Sequence, residues 1–228
     1  MHRSMIGAVA VLLTAAALLA GRAAEDATTG GLTARDRLLW LAAAAGPADG
    51  DGGAGRYSRI RLQRQVRTVR TDSERWRGPD GSGRLAERRL GSPGAPVVRT
   101  DYPPGSLRLR TGEPFPADPA ALVAALTRGQ PGDGPAAVVT GLLDTIGIRY
   151  LDRAERATTL RAIAGLPGLV YAGPDPLGLA FTLAVGDERL RLVVDGRTGE
   201  VTEWQYGGGA ERVVILERAR VTGLAAGD

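Results

Sequence analysis

Arg189–Tyr206 reads RLRLVVDGRTGEVTEWQY, and this stretch decides the fold. Two β-rich runs, Arg189 to Val194 and Val201 to Tyr206, flank a short segment of turn residues, so the stretch is a hairpin. The acidic turn invites a functional reading. Asp195, Thr198 and Gly199 are, however, what a tight hairpin needs for local hydrogen bonds and a positive φ, and the structural reading is preferred. Working outward, Leu169 to Ala172, Leu177 to Val185 and Arg212 to Val221 are further strands, with a turn at Gly186 and Asp187.

A second set of strands lies far upstream. Ser58, Ile60, Leu62, Val66 and Thr68 occupy one parity, while Arg59, Arg61, Gln63, Gln65 and Arg67 occupy the other. Successive side chains of a strand point to opposite faces, so this predicts a long strand with one wet, basic face. Arg64 breaks the apolar parity and marks the strand's exposed part or a bulge. The chain continues through Thr71 to Arg77, turns at Gly78, Pro79, Asp80 and Gly81, and returns from Arg84 to Leu90, an antiparallel meander.

Helices are expected before and between these sets. Thr33 to Ala45 reads as a helix with Thr33 as N-cap, Leu38, Leu39, Leu41 and Ala42 on its apolar side, and Trp40 in packing. Asp118 and Pro119 form an N-cap and first-turn pair ahead of a helix that turns Leu122, Val123 and Leu126 to the core. Another helix is expected from Pro135 to about Ile146. A last one runs from Asp152, capped box-fashion with Glu155, to Ala164, and is ended by Gly165 and Pro167.

Composition excludes more than it assigns. All twenty-nine basic residues of the 228 are Arg, there is no Cys, and the only His and Met residues are His2, Met1 and Met5. The Arg bias reads first as codon usage in a GC-rich genome. Without His, Cys or Lys beyond the first residues, triad nucleophiles, Schiff bases, Walker loops and zinc or iron sites are closed. Carboxylate-only hydrolysis and oxygen-ligated calcium survive, but neither finds a convincing constellation. No cofactor and no metal is expected. Ten aromatic residues are too few to suggest a sugar-stacking cleft.

Gly50, Gly52 and Gly55 in GDGGAG satisfy G-x-G-x-x-G, but they follow a helix and precede a strand, the reverse of a dinucleotide site. Asp49, Asp51 and Gly52 resemble the start of a calcium loop that lacks its closing Glu. Gly46 to Gly55 is therefore taken as a flexible linker.

At the start, His2 and Arg3 precede an apolar run from Met5 to Ala20, followed by Gly21, Arg22, Ala23 and Ala24. This is an export pattern, cleaved or retained as an anchor. Arg22 stands where a lipidated Cys would have to be, which rules out lipoprotein processing. From Arg56 to Arg99 there are twelve Arg and four acids, a local net charge of +8. Such asymmetry suits anionic partners, with Arg59, Arg61 and Arg67 as candidate contacts on one strand face. The alternative is a solvated sheet face whose Arg residues pair across strands with acids. Export disfavours nucleic acid.

The order of these pieces, from SERWRGPDGSGRLAER through FPADPAAL, LLDTIGIRY and RAERATTLRAIAGLPGLVYAG to RLRLVVDGRTGEVTEWQY, resembles a family of uncharacterised membrane-anchored proteins of high-GC Gram-positive bacteria. That family is described as lying beside extracytoplasmic sigma factors. In element order it is similar to the lipoprotein-carrier and sigma-regulator (LolA/RseB-like) periplasmic fold. The resemblance implies an α+β domain whose curved antiparallel sheet, an open half-barrel, wraps over three or four helices and offers an apolar concavity for acyl chains. Members usually carry a cytoplasmic segment before the membrane helix, whereas here the apolar run starts at Met5.

The organisation expected is thus 1–24 as signal peptide or anchor helix, 25–55 as short helix and linker, and 56–224 as one extracytoplasmic domain. The function expected is non-enzymatic: binding a lipid or lipoprotein, or sensing envelope state. A structural or regulatory module that binds an envelope protein is the alternative, and a carboxylate-only hydrolase a distant third.

Overall fold

The computed structural model describes residues 31–49, 51, 53–128 and 134–224. The chain divides into two compact units, 1–33 and 34–228, and every element below belongs to the second. The apolar run from Met5 to Ala20 lies outside the described residues. Among those described, no helix is long and apolar enough to cross a membrane.

The order is α1 (Ala34–Ala44), β1 (Tyr57–Val66), β2 (Val69–Arg77), β3 (Gly83–Arg89), β4 (Val98–Tyr102), α2 (Pro119–Thr127), α3 (Gly134–Ile146), α4 (Arg153–Ala164), β5 (Val170–Asp175), β6 (Gly178–Val185), β7 (Glu188–Val194), β8 (Val201–Tyr206) and β9 (Glu211–Val221). The nine strands form one open sheet, β4-β3-β2-β1-β9-β8-β7-β6-β5, antiparallel throughout. The class is α+β, as expected. Two meanders, β1–β4 and β5–β9, meet where the first strand pairs with the last.

Strand parity sorts the sheet into two faces. In β1, Ser58, Ile60 and Leu62 are buried while Arg61 and Gln63 are exposed. Directly opposed residues share a face, so Leu62 beside Ile215, Arg64 beside Val213, and Trp204 beside Val213 and Leu192 carry the inner face across the sheet. The four described helices all contribute to the core against this face, through Leu38 and Leu41, Leu122 and Leu126, Val138 and Leu142, and Leu160 and Ile163. Each fully buried Leu or Phe contributes about 1.5–3 kcal/mol relative to exposure. A one-residue slip would turn the apolar set to solvent, which fixes the register.

The helix ends follow local chemistry. Asp118 accepts from the Ala121 amide at 2.8 Å ahead of Pro119. In α4, Asp152 accepts from the Glu155 amide at 2.9 Å, and Glu155 accepts in return from the Asp152 amide at 3.1 Å. Such caps contribute about 1 kcal/mol each. The 195–199 turn is structural: Asp195 accepts from the amides of Arg197 and Thr198 and from the Thr198 hydroxyl, and Gly199 sits at φ +71°.

Some expectations fail for identifiable reasons. Leu39 and Trp40 face solvent, 37% and 41% exposed, because the helical period turns the 38/41/42 stripe inward and the 39/40 side out. β4 has no strand signal, since GSPGAP precedes it and its exposed edge position demands no alternation. Arg67 does not lie on the strand face. Strand β1 ends at Val66, paired with Val69, and Arg67 sits in the two-residue turn at φ +54°. Finally, α1 adds Leu38 and Leu41 to the same core as the sheet.

Candidate functional site

Beyond the core, the inner face changes chemistry. Along β1, Leu62 gives way to Arg64; along β8, Trp204 gives way to Tyr206; along β9, Val213 gives way to Glu211. Arg75 projects from β2 on the same face, opposite Ile60. The facing wall comes from the C-terminal half of α3, with Thr140, Leu143, Asp144 and Thr145, and from Arg108–Arg110 in the connection after β4. Together they enclose a groove of about 520 Å³. Pockets for small ligands typically measure several hundred Å³.

The groove lining is mixed, with apolar and polar surface in similar shares and an excess of arginine. Leu62, Leu109, Leu143, Ile148, Trp204 and Val213 supply the apolar surface. Among its lining residues, Arg64, Arg75, Arg108 and Arg110 outnumber Asp144 and Glu211 four to two. Arg64 meets Glu211 at 2.8 Å, Arg110 stands 3.8 Å from Asp144, and Arg108 donates to the Gly105 carbonyl at 3.2 Å. The two carboxylates are thus each held beside a guanidinium rather than poised together as an acid and base.

Two donors in this groove are orphaned. The Nε of Arg75 and the hydroxyl of Tyr206 are buried without a hydrogen-bond partner among the described residues, and the Nη1 of Arg75 makes a long 3.4 Å hydrogen bond to the Gly147 carbonyl. Thr140 lies near the Tyr206 hydroxyl without completing a hydrogen bond. Burial lowers the Arg75 pKa and raises those of Asp144 and Tyr206; for Asp144 it outweighs the opposing pull of Arg110 and Arg75. A buried polar atom left unmatched costs about 1–3 kcal/mol.

The outer face is different. Arg59 bonds Glu74 on β2 and, at 3.0 Å, Glu217 on β9; Arg61 bonds Asp72 at 3.0 Å. Farther along, the Glu203 carboxylate, 2% exposed, lies between Arg191 at 3.4 Å and Arg212 at 2.5 Å, and Arg191 also reaches Asp175 at 2.6 Å. Arg59 and Arg61 therefore share a face but are engaged across strands, and Arg67 stands apart from them in the turn.

A further cluster joins the stretch taken as linker to the domain. Asp51 receives both terminal nitrogens of Arg156, at 3.0 and 2.8 Å, and the Tyr150 hydroxyl at 2.5 Å. Arg156, 3% exposed, also donates to the carbonyls of Gly46, Leu151 and Thr198. Asp51 thus fastens this segment instead of leaving it a flexible linker. The Arg156 hydrogen bonds hold the Asp51 carboxyl well below the usual carboxylate range, while burial and Asp51 push the Tyr150 hydroxyl up. Gly50 and Gly52 lie outside the described residues. Gly55 is required by close approach, since a Cβ there would fall 2.0 Å from the Val221 backbone.

Sequence reasoning noticed Arg64 but missed Arg75 and Tyr206. Arg64 needs no bulge, because it keeps the inner parity and projects past the core. Arg75 has no local signal, as its face is set by pairing with Ile60. Arg156 could have been found: it lies on one helical stripe with Leu160 and Ile163, where an Arg demands a buried partner. Among the described residues no cluster of three or more acidic, His or Cys side chains could hold a metal ion.

No family model matches the chain, and none of the curated proteins matches it. Among solved structures, it is similar to one described as the crystal structure of MucB, at 14% identity and a TM-score of 0.37. That match covers 84% of this chain and 60% of the other, so this chain spans less than two thirds of that protein's length.

Proposed function

We propose that the protein is a non-enzymatic, extracytoplasmic binding domain of the cell envelope, carried out of the cytoplasm by the 5–20 segment. Its ligand, a lipid or the lipid-bearing part of a lipoprotein, lies in the groove between α3 and the inner sheet face. The open half-barrel expected from the resemblance would curve around it. The observation that carries this reading is a roomy groove of mixed apolar and polar lining with two buried, unmatched donors, an arrangement that costs stability unless something completes it.

Mass spectrometry of organic extracts from the chain, purified without detergent from a bacterial host with a comparable envelope, tests it. A defined lipid near one per chain is expected. An empty protein that also takes up no lipid when incubated with envelope extract would sink the reading.

A second reading is a module that docks an envelope protein through the sheet edge. It is favoured by β4, an edge strand whose Val98 is 61% exposed and is preceded by Val97 at 43%. Strand addition at such an edge would use the backbone groups left unpaired. Pull-down of a stoichiometric envelope partner, lost when Val98 is replaced by Pro, would favour it over lipid binding.

A further inference from the structure

Resting on the reading in which a protein docks at the β4 edge, we infer that this partner is a second copy of the chain, its β4 paired antiparallel with the first about Thr100.

The two edges of the sheet are built differently. β5 carries a register shift between Tyr171 and Gly173, with Gly173 at φ +106°, and then Pro174, which has no amide hydrogen to offer. A bulge and a proline are devices that stop an edge from being extended. β4 has neither. Val98–Tyr102 runs in unbroken register with β3, and its first four residues are exposed. Its other flank offers backbone donors and acceptors to one more strand.

The sequence of that strand is its own complement. Laid antiparallel on a copy of itself with Thr100 facing Thr100, VRTDY sets Arg99 opposite Asp101 twice and Val98 opposite Tyr102 twice. Directly opposed residues share a face, where opposite charges attract and aromatic and β-branched side chains pack. A two-fold joint pairs residue i with j and j with i, so a second copy brings the matching charges by symmetry. An unrelated strand has no such built-in match.

The outer face of the sheet supplies the precedent. Arg59 lies between Glu217 and Glu74, Asp72 lies between Arg61 and Arg88, and Arg84 meets Asp101 at 2.6 Å. Every junction from β9 to β4 thus sets a guanidinium beside a carboxylate. Arg99 and Asp101 are on this same face, registered through Ala86 and Arg84 with Glu74 and Trp76. The Asp101 side chain is 67% exposed, and a carboxylate that already takes Arg84 has further lone pairs for the partner's Arg99. On the inner face Val98, 61% exposed, would be covered by the partner's Tyr102. Five residues a side make a small joint, so the association is weak and concentration-dependent.

The chain contains no Cys, so one introduced cysteine reports the register. Thr100→Cys sets two thiols directly opposite, with Cα atoms about 4.5–5.5 Å apart and within disulfide reach. Val98→Cys, a control on the same exposed strand, sets them four residues out of step, about 13 Å apart. Under a mild oxidant the full chain carrying Thr100→Cys is expected to form covalent dimer at least about tenfold faster than the one carrying Val98→Cys. Adding Arg99→Asp to Thr100→Cys should slow the linking several-fold, as should adding Asp101→Arg. Mixing those two chains should restore it as a mixed dimer, because each then meets its opposite charge. Asp101→Arg also faces Arg84, and if that chain does not fold, slowing by Arg99→Asp at an unchanged melting temperature carries the test.

Equal linking at positions 98 and 100, or linking indifferent to both charge reversals, would overturn the self-pairing. Absence of linking at Thr100, while an envelope protein is still captured and then lost in Val98→Pro, would also overturn it and leave the edge-docking reading standing. Absence of both would overturn the two together.

Discussion

Both faces of the sheet carry arginine in ion pairs, and the inner face also holds one arginine, Arg75, outside any such pair. Outside, Arg59, Arg61, Arg191 and Arg212 each meet a carboxylate from a neighbouring strand. Inside, Arg75 is half-buried, with its Nε buried and unmatched and, among the described residues, no carboxylate within ion-pair distance. A basic patch is therefore a poor guide to a binding site. Pairing neutralises the conspicuous arginines, and the informative one is the arginine outside any ion pair. Arg156 supplies the contrast on the helix side, since the same residue type becomes structural once Asp51 and three carbonyls meet it.

That contrast can be broken at graded cost. The largest effect is expected from Asp51→Ala, which leaves the buried Arg156 without its counter-charge and should lower unfolding stability by about 3 kcal/mol in denaturant melts. Glu203→Ala should come next, at about 2 kcal/mol, because this buried carboxylate accepts charged donors from two strands.

Acid titration separates two carboxylates. Asp51 has a depressed pKa in the folded protein, so its contribution is present above the unfolded value of about 3.9 and is lost as pH falls through the folded one. Asp144 is exposed on the groove wall beside Arg110, where solvent screens its charge. Asp51→Asn should flatten part of the acid limb of stability against pH, whereas Asp144→Asn should leave the curve nearly unchanged. The smallest effect is expected from Arg59→Gln, about 0.5 kcal/mol or less, since its partners are partly exposed. A loss above about 2 kcal/mol there would mean that the outer ladder holds the sheet together.

Much of the fold was legible because its signals are local. The 189–206 hairpin, the Asp118–Pro119 start, the Asp152 and Glu155 box and the alternation of Ser58, Ile60 and Leu62 depend on near neighbours and appear where expected. The site was hardly legible. Arg75 and Tyr206 come from strands 131 residues apart in the sequence, and their common face follows from how β2, β1, β9 and β8 are registered. Asp51 was hidden in the same way, its partner lying 105 residues downstream in a helix. The choice of Arg59, Arg61 and Arg67 counted charge and parity but could not see Glu74, Asp72 and Glu217 closing on two of them, nor the strand ending before the third.

The junction of β1 with β9 sets the order of events during synthesis. β1 lies near the middle of the sheet, but its partner on one side, β9, is made after all the other described strands and ends at Val221. The first meander can zip while the chain is still emerging; the second can do so only late. The two halves cannot be stitched together until the 211–221 segment has been translated. Until then the inner edge of β1 stays open, and a nascent chain stalled before residue 211 would present an unpaired strand to any chaperone nearby.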